Sequence, residues 1–220
     1  MSMLIYIIRH GETDGNRNGV LQGWTNQPLN DNGRELAVVT AKALAEVKFD
    51  VAYSSPLSRA YETAEIILKY SNHSIPEIVI DNRIKEINFG EWEGKRITKE
   101  NFNIPSVRFN EFYTDTFNFP NGPGGETTWD VVHRTGDFLN QVFSNPEYQD
   151  KTILVATHGF ALRALLHHVY EDKNDFWHGQ VPANCCVNVI EKNENEIKLI
   201  TDDQLFYDPN LVVNPYKEIR

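Results

Sequence analysis

At 220 residues, 40% of them hydrophobic, the chain is long enough to bury a full core as one domain, or as one domain with a sizeable insertion. A formal net charge of −10 excludes a general nucleic-acid or anionic-membrane surface, which needs a basic stripe, while leaving room for a local arginine cluster around a small anion. No apolar run reaches the ~20 residues of a membrane span, no signal-peptide pattern precedes Leu4, and two adjacent cysteines, Cys185 and Cys186, fit a cytoplasmic compartment rather than a disulfide framework.

The predicted elements alternate between strand and helix. Leu4–Ile8 (LIYII) is a run of large apolar and β-branched residues suited to a central strand, and it stops abruptly at Arg9-His10-Gly11-Glu12. Residues 12–32 are polar and rich in Gly and Asn. They are expected as a long loop, a kind that in a compact domain usually carries function. Gly33–Val47 has helical spacing, Asp50–Ser54 is a short strand, and Pro56–Tyr70 is a helix with Ser55 as N-cap and Pro56 at its first position. A strand follows at Glu77–Asp81. The piece from about 86 to 150 then breaks the rhythm: it is rich in aromatics, Asn, Pro and Gly, with a helix near Thr128–Phe143, and reads as an insertion over one edge of a sheet. Thr152–Ala156 (TILVA) is a second buried strand, followed by the helix Phe160–Tyr170. Val187–Glu191 and Ile197–Thr201 form a terminal hairpin, with the two cysteines in an apparent strand and on opposite faces of it. This order is that of an α/β fold.

Two apolar strands thus end in His-Gly: His10-Gly11 and His158-Gly159. In open α/β sheets ligands bind beyond the carboxyl ends of strands, so if these strands are neighbours the two imidazoles meet there. Each glycine lets the backbone turn sharply beside a ligand. Gly159 also opens a helix whose free N–H groups form an anion site. Arg59, in SSPLSRAYETA, falls in the first turn of its helix, where a cation opposes the helix dipole at a cost of roughly 0.3–1 kcal/mol unless an anion sits against that end. Arg9 at a strand end needs a partner of its own. Two arginines, two histidines and a helix N-terminus describe a phosphate pocket. Phosphoryl transfer to a histidine also needs a proton for the leaving oxygen, and Glu86, in RIKEINFGEWEG, is the candidate among 31 acidic residues.

These stretches resemble the histidine phosphatase superfamily, whose fold is that of phosphoglycerate mutase. The likeness covers most of the chain: RHGETDGN with Gln22-Gly23, SSPLSRAYETA, EINFGEWEG, GGET at Gly124–Thr127, and THG at Thr157–Gly159. It implies a three-layer sandwich with a mostly parallel central sheet and an inserted cap, here a single domain over 1–220 with the cap at 87–150. It also implies that His10 is a nucleophile forming a phosphohistidine. Arg9, Arg59 and His158 would hold the equatorial oxygens, and Glu86 would be the proton donor. Asn16 would touch phosphate, with Gln22, Gly23, Gly159 and the Gly125–Thr127 turn lining the same cleft. No metal and no other cofactor are implied, and the partner is a small phosphorylated metabolite; nothing is implied about oligomeric state. Within the family EINFGEWEG resembles the phosphatase branch, and the cations of 87–134 are Lys95, Arg96, Lys99, Arg108 and Arg134, fewer than the basic insertion of the cofactor-dependent mutases. The C-terminal TDDQLFYD departs from the histidine-leucine ending of the small phosphatases.

Each of these residues has a plainer reading: His158 as a core histidine, Arg59 as the salt-bridge partner of Glu62 or Glu65, Glu86 as a solvated acid with Glu12 or Glu126 in its role. The remaining histidines, at 73, 133, 167, 168 and 178, are structural or exposed. The aromatic run Phe102, Phe109, Phe112, Tyr113, Phe117 and Phe119 either floors an apolar pocket or packs the insertion onto its domain. The alternatives to a metal-independent phosphatase are a phosphoglycerate mutase, a non-catalytic phospholigand-binding protein, and a metallohydrolase using His10 and His158.

Overall fold

The computed structural model describes residues 2–99 and 101–212; Met1, Glu100 and 213–220, which the expected span of 1–220 includes, lie outside the described residues. Strands β1 (Met3–Arg9), β2 (Val51–Ser54), β3 (Ile78–Ile80), β6 (Thr152–Thr157), β7 (Val187–Lys192) and β8 (Ile197–Gln204) form one sheet in the order β3-β2-β6-β1-β7-β8. The first four of that order run parallel, and β7 and β8 are antiparallel to their neighbours.

Period-2 alternation along β1 sorts its side chains into two layers. Met3, Ile5 and Ile7 pack with Ile153 and Val155 against helices α5 (Thr128–Ser144) and α6 (Gly159–His167) through Phe138, Leu139, Val142, Leu162 and Leu165. Leu4, Tyr6 and Ile8 face the other way, toward Ala41 and Leu44 beside α2 (Asp31–Ala43) and toward Ala64 and Ile67 of α3 (Ser58–Lys69). The result is helices, sheet, helices. Each fully buried Ile of β1 is worth roughly 1.5–3 kcal/mol, which is why the strand tolerates no polar residue before Arg9.

The segment 87–150 is not uniform. Its first part holds the small hairpin β4 (Ile97–Thr98) and β5 (Asn101–Phe102) and the short helix α4 (Glu111–Thr114). Phe109, Phe112 and Phe119 pack it against Phe160 of α6 and Val131 of α5. Its last part, α5, belongs to the layer under the sheet, and it starts at a capping box in which Thr127 and Asp130 satisfy each other's backbone N–H.

Several element boundaries differ from the sequence expectation. The loop 12–32 contains a helical turn, α1 (Asp14–Arg17), closed by a capping box between Thr13 and Asn16. Helix α2 begins two residues early because Asn30 caps it, its Oδ1 accepting from Gly33 N at 2.8 Å. Helix α3 starts at Ser58 rather than Pro56, and Ser55 is not its cap. A side chain from the distant loop does that work, with Ser58 N donating to Asn26 Oδ1 at 2.8 Å. Cys185 and Cys186 sit in a turn before β7, not in a strand; both are buried and free, Cys185 against Leu36 and Cys186 against the β1 core. No helix among the described residues is long and apolar enough to cross a membrane.

Candidate active site

Three parallel strands end at the same edge, and each ends in a polar residue of the site. Arg9 pairs in register with Thr157, so His10 and His158 emerge side by side, with ring centroids 5.1 Å apart. His10 N donates to Thr157 O at 2.9 Å, which locks that juxtaposition. On the far side of β6, β2 delivers Ser55, whose Oγ lies 2.8 Å from His158 Nε2. The expected meeting of the two imidazoles follows from β1 and β6 being neighbours.

The two nitrogens of His10 have different partners. Nδ1 lies 2.6 Å from the Gly11 carbonyl, to which only a protonated nitrogen can donate. The lone pair is therefore on Nε2, which receives Arg59 Nε at 3.2 Å. Burial, reinforced by Arg59 and then Arg9, holds the His10 pKa well below the ordinary value, so the ring is neutral at neutral pH. Burial does the same to His158, with Arg59 and His10 adding to it.

Arg59 is 0% exposed, and Glu62, a partner its plainer reading names, is held by Arg34 at 2.6 Å. Its guanidinium donates to the carbonyls of Thr25 and Gly23, each at 2.8 Å. The loop 12–32 thus serves as the cradle of an arginine. Gly23 reaches the site through that carbonyl alone; a Cβ there would come within 2.4 Å of the Ile87 carbonyl. Arg9 donates from NH1 to the Pro182 carbonyl, and its Nε is buried with no hydrogen-bond partner. Gly159 lies against that guanidinium, where a Cβ would make ordinary contact with Arg9 Nε at 3.5 Å.

The helix N-terminus of α6 is occupied by a carboxylate of the chain itself, contrary to the expectation that its free N–H groups await a ligand. Glu86 Oε1 accepts from Ile87 N at 3.0 Å and Ala161 N at 3.1 Å, and Oε2 accepts from Phe160 N at 3.3 Å. The backbone of Glu86 is pinned as well: its carbonyl accepts from Trp24 Nε1 and Arg134 NH2, each at 2.9 Å. Burial raises the Glu86 pKa, and this outweighs the lowering by Arg59 and by the backbone N–H groups. Glu12 and Glu126, its competitors, are committed elsewhere: Glu12 to Arg17 at 2.8 Å and Glu126 to Arg134 at 2.8 Å.

A cleft opens beside this group, with Arg9, Gln22, Glu86 and Gly159 at its polar end and Leu21, Phe89, Ile97, Phe112, Phe160 and Trp177 among its walls; His10, Arg59 and His158 lie behind that polar end and do not line it. Gln22 accepts from Thr13 Oγ1 at 2.9 Å, and its Nε2 is buried and unpartnered. Asn16, like His10, stands behind the residues that line the cleft. Its Oδ1 accepts from Thr13 N and from Asn184 Nδ2, and Asn184 in turn holds the His10 carbonyl at 3.0 Å. The Gly125–Thr127 turn does not border it either; the Glu126 amide and carboxylate tie it to Asn88. Of the aromatic run, Phe112 and Tyr113 reach the cleft while Phe109 and Phe119 are packing. Sequence reasoning missed Ser55, Asn184 and Trp177. A serine directly after a strand, at the edge where two other strands end in histidine, is a signal for the first; the other two carry none.

The geometry provides a neutral imidazole with an inward lone pair, two guanidiniums, a second imidazole and a carboxyl group whose pKa burial raises. Among the described residues no group of three or more His, Cys, Asp or Glu is placed to hold a metal ion.

Comparison with known proteins points the same way. Residues 5–202 match the pattern of the "Histidine phosphatase superfamily (branch 1)". The chain is 30% identical over 195 residues to an "Uncharacterized phosphatase PhoE" of Bacillus subtilis, covering 89% of this chain and 91% of that one. It is also 30% identical over 171 residues to a 2,3-bisphosphoglycerate-dependent phosphoglycerate mutase of Bartonella henselae, covering 76% and 81%. The solved structure of Bacillus stearothermophilus YhfR superposes with a TM-score of 0.81 at 28% identity, over 92% of this chain and 97% of that one.

Proposed function

We propose that this chain, which belongs to the histidine phosphatase superfamily (branch 1), hydrolyses a small phosphomonoester without a metal, through a phosphohistidine on His10. The observation that carries this reading is the split between the two nitrogens of His10. With Nδ1 donating to Gly11 O and the ring kept neutral by burial, Nε2 is a nucleophile that needs no deprotonation. Nε2 attacks phosphorus in line while the bond from phosphorus to the leaving oxygen breaks. Arg9, Arg59, His158 and the Gln22 amide hold the equatorial oxygens and the charge that gathers on them. Glu86, whose pKa burial raises, gives its proton to the departing alkoxide. In the second half Glu86 takes a proton from water, the water oxygen bonds to phosphorus, and the phosphorus–nitrogen bond breaks to restore His10.

The charges around the cleft support hydrolysis over mutase chemistry. A mutase must hold a second acidic group of its substrate, and among the described residues Arg9 is the one cation bordering the cleft. Nearby cations are engaged: Arg108 with Glu111, Arg134 with Glu126 and three backbone carbonyls, Lys85 over the Trp24 ring. The likeness to the Bartonella mutase favours the second reading, in which the phosphohistidine returns its phosphoryl group to another oxygen of the bound acid. The net charge of −10 supports a small metabolite, rather than nucleic acid or an anionic membrane, as the partner, and the buried free cysteines agree with a cytoplasmic setting.

The deciding experiment is a panel of phosphomonoesters assayed for free phosphate, beside 3-phosphoglycerate with a bisphosphate primer assayed for isomer. Phosphate release in the presence of chelator is expected. Isomer formation with no free phosphate overturns hydrolysis in favour of the mutase.

A further inference from the structure

We infer that the alcohol carried by the substrate's phosphate is uncharged and predominantly apolar, so that the substrate class is aryl and alkyl phosphates rather than phosphoglycerates, phosphoserine or sugar phosphates. The inference rests on the phosphohistidine reading for where the phosphate sits, and on the cleft walls for what lies beyond it.

Once the phosphate is placed against His10, the polar end of the cleft is used up: Arg9 and the Gln22 amide face the phosphate and Glu86 faces the leaving oxygen. The remaining wall is mostly aromatic and aliphatic carbon, with the Tyr113 side chain bringing one hydroxyl to it. Most of it is built from two pieces of chain, the insertion (Phe89, Ile97, Phe112, Tyr113) and the segment before β7 (Trp177, Val181), with Phe160 of α6 between them and Leu21 of the loop 12–32 at its side. Trp177 would ordinarily offer an indole N–H to a ligand. Here that N–H donates to the Phe112 carbonyl at 2.8 Å, so the indole N–H and the carbonyl of Phe112 are both consumed in fastening the two pieces together. What the pair leaves for the cleft is ring carbon. The wall is fixed rather than adaptable: Phe112 stands 5.6 Å from Phe160 and 5.1 Å from Trp177 between centroids, and Phe160 is 4.4 Å from Phe176.

A carboxylate on the leaving group would enter this space with no second cation to meet it: among the described residues Arg9 is the one cation that lines the cleft, and it faces the phosphate, while Arg108, Arg134 and Lys85 have partners of their own. A row of sugar hydroxyls would leave water for aromatic carbon and lose hydrogen bonds that the wall does not replace. An alkyl chain or an aryl ring loses nothing on entry and gains contact with rigid aromatic walls.

The test uses leaving groups matched in chemistry and different in polarity. n-Hexyl phosphate and glycerol 3-phosphate both release a primary alkoxide, so their barriers differ mainly through the cleft. We expect kcat/KM to favour n-hexyl phosphate by about 10–100-fold, the scale of burying several methylene groups. Val181→Lys, which adds a cation to a partly exposed wall position, should shift the preference toward 3-phosphoglycerate. Binding gives a readout separate from turnover: hexylphosphonate should bind more tightly than 3-phosphonopropionate in calorimetry. Equal kcat/KM on the two esters, or equal binding of the two phosphonates, overturns the inference and leaves the phosphatase reading in place. Preferential binding of hexylphosphonate with no phosphate released from either ester sinks the phosphatase reading and upholds the apolar ligand class.

Discussion

Ser55 Oγ stands between Leu57 N, 3.3 Å away, and His158 Nε2, 2.8 Å away. The amide donates to the hydroxyl oxygen, which leaves the hydroxyl proton free to be given to Nε2. With Nε2 accepting that proton, His158, neutral by burial, carries its own on Nδ1, a buried nitrogen with no hydrogen-bond partner among the described residues. The serine that sequence reasoning assigned to a helix cap therefore sets which nitrogen of His158 can donate to a phosphate oxygen.

Ser55→Ala removes that instruction. The Nδ1-protonated form of His158 should dominate in the wild type and give way to a mixture in the variant, read from nitrogen-15 shifts of labelled histidine. kcat/KM should fall by about 2–12-fold, the worth of one hydrogen bond of roughly 0.5–1.5 kcal/mol. An unchanged tautomer ratio would mean that Ser55 is only packing.

The tautomer of His10 predicts the site of phosphorylation as well as the residue. With Nδ1 held by Gly11 O, the phosphoryl group should appear on Nε2, acid-labile and base-stable. Phosphorus–nitrogen coupling in labelled, rapidly quenched enzyme distinguishes the two nitrogens. His10→Ala should retain the fold and lose turnover. Phosphate on Nδ1, or on a serine or carboxylate, contradicts the mechanism.

How much of this was legible in the sequence depended on whether the signal was local. β1 and β6 announce themselves because a buried strand is an apolar run, and an arginine or histidine at its end is conspicuous. The α5 start at Thr128 was legible because a capping box is local chemistry. By contrast, the α3 start was misread, since its cap is Asn26, some thirty residues upstream, and no local pattern encodes a partner that far away. The α6 N-terminus was misread for the same reason: its N–H groups are taken by Glu86, brought there by chain that intervenes between β3 and β6. The C-terminal TDDQLFYD, which lacks the family ending, braces the site from behind: Tyr207 Oη donates to the Asn184 carbonyl at 2.5 Å, and Asn184 holds the His10 carbonyl.

That tail also carries a stability prediction. Arg163 of α6 is 1% exposed and pairs with Asp203, itself 16% exposed, while donating to the Gln180 carbonyl at 3.1 Å just before the Val181 wall. Asp203→Ala leaves a buried guanidinium short of its main counter-charge. Losses of this kind run to about 3–5 kcal/mol, and urea unfolding should place this one near the lower end because Asp202 stands 3.5 Å from the same group. Asp202→Ala, removing a half-exposed partner, should cost less than about 1 kcal/mol. Equal effects of the two changes would show that Asp203 is not the principal counter-charge.

Glu86 makes two predictions from one cause. Burial lifts its pKa above the ordinary value near 4.5, so the folded protein holds this proton more tightly than the unfolded chain does. The first consequence is kinetic. An acid must be protonated to donate, so activity should fall as pH rises through the folded pKa, and Glu86→Gln should flatten that limb. The variant should be slowed by about 10²–10⁴-fold on an alkyl phosphate, whose alkoxide needs the proton, and far less on p-nitrophenyl phosphate, whose phenolate does not. The second consequence concerns stability, and its sign is fixed by linkage. A carboxyl group with a raised folded pKa contributes fully at low pH, where both states are protonated, and its contribution is lost as pH climbs from the unfolded value through the folded one. The stability of Glu86→Gln relative to wild type should therefore rise across that window and level off above it. The variant also weakens the contact with Phe160 N, but that loss is the same at every pH and drops out of the slope. A flat difference in stability together with an unaltered alkaline limb would show a carboxylate already ionised at its helix N-terminus, with no proton to give.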